Sequence, residues 1–102
     1  MKVAWSYVAL GNIIEANKYI ASENPEAARK IINDIFEAGN KINAFPEKGR
    51  IVPKLWRKDV REIFCHEYRI IYRIKSKRIF VLIVLHMKKL LKEKVIKAIA
   101  GV

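Results

Sequence analysis

Arg61, Arg69 and Arg73 fall in adjacent stretches that read as β-strands, and His86 ends a third. Guanidinium forks match phosphate oxygens two at a time, so arginines sharing a sheet face can hold a backbone phosphate. The alternation in Tyr68–Ile74 puts Arg69 and Arg73 on one face, with Tyr68 and Tyr72 on the other, and Arg61 on the neighbouring strand can share the arginine face. His86 is the one imidazole placed for proton transfer, because His66 sits in a short turn. The plainer reading makes the arginines a solvated or partner-binding surface and His86 a packing or capping residue. Cys65 is the single cysteine, which excludes an internal disulfide and a cysteine-based zinc site. A packing role fits it better than a nucleophilic one. No metal and no cofactor are expected.

Charge is unevenly spread. Residues 1–50 hold seven Lys/Arg against six Asp/Glu, a balance of +1, whereas residues 51–102 hold fourteen against four, a balance of +10. A field this one-sided draws polyanions or acidic proteins. The apolar share of 52% with 30% charged residues marks a globular chain, and 102 residues suit one domain. No apolar run is long enough to span a membrane, and nothing resembles a secretory leader. The expectation is therefore a cytoplasmic protein with no membrane partner.

The elements that position these residues follow from periodicity. Lys2–Trp5 is β-prone. Ser6 is a good N-cap, and Leu10, Ile13 and Ile14 predict a helix over Tyr7–Ser22. Asn24-Pro25 restarts the chain as a second helix, predicted over Pro25–Ala44 with Ala27, Ala28, Ile31, Ile32, Ile35 and Phe36 as its apolar face, continued by Ile42. The short break between them implies an antiparallel hairpin. A basic loop spans Arg50–Lys58, and three strands follow at Val60–Cys65, Tyr68–Ile74 and Ile79–Leu85. The last is apolar throughout, as suits an inner strand covered on both faces. Leu90, Leu91, Val95 and Ala98 among lysines predict a basic C-terminal helix. The order β-α-α-β-β-β-α gives one α+β domain over residues 1–102. In it a two-helix hairpin packs on a mostly antiparallel four-stranded sheet whose other face is partly open.

Ordered fragments then carry a resemblance. They are Trp5 with Ala9-Leu10, Tyr19-Ile20-Ala21, Asn24-Pro25 with Ala27-Ala28, Phe45-Pro46 with Gly49-Arg50, Val60-Arg61-Glu62-Ile63, Tyr68 to Arg73, and Leu85-His86 with Leu90. Together they resemble the RelE/ParE toxin superfamily from Trp5 to about Leu91. The resemblance implies the toxin of a type II toxin–antitoxin pair, neutralised by an antitoxin whose disordered segment folds across it. We expect that antitoxin to be acidic, to be encoded beside this gene, and to cover the basic half.

RelE-like members cleave ribosome-bound messenger RNA without a metal, whereas ParE-like members poison DNA gyrase. The resemblance implies, for a nuclease, Arg69, Arg61 and His86 as catalytic residues and Arg73, Lys88 and Lys89 as nucleic-acid contacts. Arg69 follows Tyr68 as a functional arginine does in RelE-like nucleases, and Lys88 and Lys89 fall where those enzymes carry a basic residue. One departure is plain: no Phe, Tyr or Trp follows Phe80, where such nucleases commonly keep a tyrosine. The Leu85-His86 and Leu90 ending looks more like the ParE branch. The alternative class is a non-catalytic or degenerate basic module that engages an acidic partner or nucleic acid.

Overall fold

The computed structural model describes residues 2–101. Strand β1 (Lys2–Trp5) leads through Ser6 into helix α1 (Tyr7–Ala21), and α2 (Pro25–Asn40) returns alongside it. Two 3-10 turns, Lys41–Ala44 and Pro46–Lys48, reach a short strand β2 (Arg50–Ile51). Strands β3 (Val60–Cys65), β4 (Tyr68–Lys75) and β5 (Arg78–His86) follow, then helix α3 (Glu93–Ala100). The sheet order is β1-β5-β4-β3-β2; β1 runs parallel to β5 and every other pairing is antiparallel.

The α+β class and the helical hairpin stand as expected, but the sheet has five strands rather than four. Arg50 and Ile51 pair with Glu62 and Arg61, so the expected basic loop begins as an edge strand. Two residues are too few to show the alternation by which a strand is read.

Local chemistry explains the helix starts. Ser6 accepts the Ala9 amide at 2.9 Å and donates its hydroxyl to the Leu82 carbonyl at 2.8 Å, tying the first turn of α1 to β5. Asn24 accepts the Ala27 amide at 3.1 Å, with Pro25 in the first turn. Helix α2 stops at Asn40 instead of Ala44, where the chain tightens into a 3-10 turn. Gly39 is there because Trp5 lies on it: a Cβ would run into the indole ring, whose Nε1 donates to Asn40 Oδ1 at 3.0 Å.

The hairpin covers one sheet face. Ala9, Ile13, Ala16 and Ile35 pack there on Tyr68, Ile70, Tyr72, Ile79, Val81 and Val84. Ile14, assigned inward by the sequence, is largely exposed instead. The opposite face, expected to be partly open, carries a second core. There Ile96 and Ala100 of α3, with Leu91, pack on Val52, Val60, Ile71, Leu82 and Ile83. A bulge makes this possible. Ile71 pairs with Ile83 but Tyr72 pairs with Val81, so Leu82 is the extra residue and joins Ile83 in the second core. The C-terminal stripe was misphased by the sequence. Helix α3 starts at Glu93, and it buries Ile96 and Ala100 while Leu90 and Val95 stay exposed.

Candidate functional site

Strand register decides which of the six expected site residues meet. Arg69 pairs with Phe64 and Arg61 pairs with Tyr72, so Arg69 lies on the α3 face and Arg61 on the hairpin face. The expectation that Arg61 shares the Arg69 face is therefore corrected. Its guanidinium instead staples the surrounding loops, donating to the carbonyls of Lys58 at 3.0 Å, Glu47 at 2.9 Å and Gly49 at 3.0 Å.

His86 pairs with Tyr68 and so belongs to the hairpin face as well. Its ring meets Tyr68 edge-on at 5.2 Å. Nδ1 accepts the Lys88 amide at 3.1 Å, which leaves the proton on Nε2, 3.3 Å from Glu67 Oε2. The imidazole thus closes the turn after β5, and none of its contacts is with Arg69. The expected convergence of Arg69, Arg61 and His86 does not occur.

Arg73 shares the α3 face with Arg69, as expected, with Ile71 between them. Its Nε meets Asp59 Oδ2 at 3.1 Å, and its Nη1 donates to the Ala100 carbonyl at the end of α3. Arg57 binds the same Asp59 carboxylate through both oxygens at 3.0 and 2.7 Å, and this first, then Arg73, holds the Asp59 pKa below the usual carboxylate range. Arg73 is a clamp on the last helix. It does not line the cleft at Arg69.

That cleft, about 290 Å³, lies between β2, the loop that follows it and the turn after β5. Arg50, Lys54, Arg69, Lys88 and Lys89 line it with Leu90 and other apolar side chains. Lys88 and Lys89 therefore do join Arg69, although they sit in a turn rather than at the helix start. Beneath the rim lies Glu62, whose side chain is fully buried. Arg50 donates to Glu62 Oε2 through Nε at 2.9 Å and Nη2 at 2.5 Å, and its guanidinium covers the Phe64 ring at 5.5 Å. Arg69 donates from Nη2 to the Lys89 carbonyl at 2.9 Å, while its Nη1 stands 3.7 Å from Glu62 Oε1. Glu62 Oε1 and Arg69 Nε are buried without a hydrogen bond.

Arg50, Glu62 and Phe64 were missed by sequence reasoning. A signal was available: Glu62 alternates with Val60 and Phe64 on one strand face, and a lone acid in such a position demands a buried cation. Other groups are quieter. Burial pushes the Cys65 thiol up, with the Asp34 charge adding to it, so the thiolate is disfavoured. Tyr68 and Tyr72 are likewise raised by burial. Among the described residues no cluster of three His, Cys, Asp or Glu side chains is placed for a metal, and no helix is long and apolar enough to cross a membrane.

A helical hairpin and a third helix on a five-stranded sheet, with a cationic cleft at one rim, make a small basic α+β domain. Residues 3–91 match the family described as the ParE toxin of the type II toxin-antitoxin system parDE, and the chain belongs to that family. Among solved structures it is similar to the chromosomal ParDE TA system from P. aeruginosa, with a TM-score of 0.70 at 22% identity. The match covers 84% of this chain and 95% of that one, and at this identity it bears on the fold alone. No curated protein sequence matches the chain.

Proposed function

We propose that this protein is the toxin of a type II toxin–antitoxin pair that works by gripping a protein target rather than by cutting RNA. DNA gyrase is the target to which the ParE family points, and an acidic antitoxin is the neutralising partner. The observation that carries the reading is the separation of Arg69 from Arg61 and His86 on opposite sheet faces. Metal-free RNA cleavage needs a base, an acid and a phosphate clamp around one phosphodiester. Here the imidazole is spent on Glu67 and the Lys88 amide, Arg61 on loop carbonyls, and Arg69 on Glu62 and Lys89. What remains is a cationic surface suited to binding.

Two assays on the purified protein test this. Supercoiling by gyrase should be blocked, while messages in a translation extract stay intact. Cleaved messages with unaffected supercoiling would overturn the target assignment. A protein silent in both assays would be the non-toxic binding module instead.

A further inference from the structure

Helix α1 leaves large apolar side chains on the side away from the sheet. Tyr7 is 93% exposed, Tyr19 73% and Ile14 55%, with Val8 beside them. Tyr7, Gly11, Ile14 and Lys18 recur at spacings of four, three and four, so they follow one line along the helix. Ala9, Ile13 and Ala16 take the inward side. Gly11 stands in the middle of the exposed line. A glycine inside a helix is destabilising relative to alanine, and the packing of this chain gives no reason for it. A Cβ at Gly39 would strike Trp5 and one at Gly49 would strike Tyr72, whereas a Cβ at Gly11 would meet nothing within 4 Å. A bare position flanked by exposed apolar groups suits the close approach of a second body from outside.

We propose that this face of α1 seats a second copy of the chain, α1 against α1 across a two-fold axis. In an antiparallel crossing centred between Gly11 and Ile14, Ile14 of each copy falls on Gly11 of the other, and Lys18 of each falls on Tyr7 of the other. A large side chain thus meets a bare position and a cation meets an aromatic ring, each contact made twice, as a two-fold interface requires. With no side chain at Gly11 the helix axes can close to about 8 Å, the near end of helix packing distances. Charge also favours a second copy over an acidic partner. Helix α1 carries one acid, Glu15, and one base, Lys18, so it offers an acidic chain no net attraction. Pairing through α1 joins the nearly neutral halves and keeps the residues after 50, with their balance of +10, apart. Arg69 lies on the α3 face of the sheet and α1 on the other, so the pairing leaves the cleft at Arg69 uncovered on both copies. The inference does not depend on the target assigned above.

The test is sedimentation equilibrium of the full-length chain, free of any partner, from about 1 to about 500 μM. A contact one helix wide is smaller than the ~800 Å² per partner of a stable interface, so we expect a reversible dimer with a Kd on the order of 10–100 μM. Raising salt from about 0.1 to about 0.5 M should tighten it, because the basic halves repel and salt screens them. Gly11→Gln should weaken association on the order of 10-fold or more while thermal unfolding stays at or above the wild-type temperature, since the space over Gly11 is open and glutamine is the better helix former. Ile14→Glu should weaken association at least as much, and Leu90→Ser, outside α1, should leave it unchanged. A chain that stays monomeric up to about 500 μM would overturn the inference. So would a dimer indifferent to both α1 variants, or one that salt dissociates. If wild type is monomeric and Ile14→Glu instead weakens capture of the adjacent gene's purified product, the face belongs to that partner and the second copy is excluded.

Discussion

Arg69 Nη1 stands 3.7 Å from Glu62 Oε1, close enough for charge attraction and too far for a hydrogen bond, at a carboxylate wholly screened from water. The plainer reading of the sequence puts Arg69 on a solvated or partner-binding surface. The geometry says otherwise, because Arg69 helps to neutralise a buried charge. Breaking a buried pair typically costs ~3–5 kcal/mol, and with Arg50 still bound to Glu62 we expect about 2–3 kcal/mol for Arg69→Ala. Urea unfolding of Arg69→Ala, Glu62→Leu and the double variant Arg69→Met/Glu62→Leu measures it. The double variant should be more stable than Arg69→Ala. An Arg69→Ala chain as stable as wild type would show that Arg50 alone suffices.

A second tight contact joins the loop before β2 to the core. The Tyr72 hydroxyl donates to the Pro46 carbonyl at 2.6 Å and accepts the Gly49 amide at 3.2 Å, and a Cβ at position 49 would collide with that oxygen. Gly49→Ala should therefore cost about 1–3 kcal/mol, as overpacking does. Tyr72→Phe should cost about 1–3 kcal/mol by leaving the amide and the carbonyl unpaired. The two variants share one oxygen, so the double Gly49→Ala/Tyr72→Phe should cost clearly less than the sum. Additive losses in thermal unfolding would mean that the collision is relieved elsewhere.

Much of this architecture is legible in the sequence because apolar periodicity and caps are local. Asn24-Pro25 marks the start of α2, and the alternation of Tyr68 to Ile74 separates the two faces of β4. The candidate site is less legible, because it depends on register. Whether Arg61 joins Arg69 turns on the β3–β4 pairing, in which a one-residue slip would exchange the faces, and nothing along a single strand reports it. The bulge at Leu82 hides for the same reason, since β5 is apolar at every position from Ile79 to Leu85 and shows no break in pattern. Lys88 and Lys89 line the cleft together with Arg69, while Arg50 enters it through a strand too short to detect.

Acid should loosen the molecule at two carboxylates. Asp59 is held below the ordinary carboxylate range first by Arg57 and then by Arg73, and Asp34 first by its hydrogen bond to His66, at 2.7 Å, and then by Lys30. A carboxyl whose pKa is depressed on folding binds protons more readily when unfolded. The stability it contributes is thus present above the unfolded value, about 3.9, and is lost as pH falls through the lower folded value. Unfolding free energy should decline from about pH 4 downward. Asp59→Asn and Asp34→Asn should each be less stable at neutral pH and show a shallower acid decline. An unchanged slope in both variants would locate the acid sensitivity elsewhere.

His86 separates a binding toxin from a nuclease. Its Nδ1 accepts the Lys88 amide and so shapes the turn that presents Lys88 and Lys89, while Nε2 faces Glu67. This role needs only a hydrogen-bond acceptor where Nδ1 stands. An asparagine carbonyl oxygen can stand where Nδ1 does. Expressed in cells without antitoxin, His86→Asn should inhibit growth nearly as strongly as wild type. His86→Ala, which frees the amide and loosens the turn, should be weaker by a few-fold. A general acid would behave differently, because neither variant can deliver a proton and such a loss commonly costs ~10²–10⁴-fold. Dose–response curves for growth inhibition by the three chains, at matched expression, distinguish the cases. Graded loss with rescue by asparagine supports a structural histidine, whereas equal and complete loss in both variants would return His86 to the chemistry.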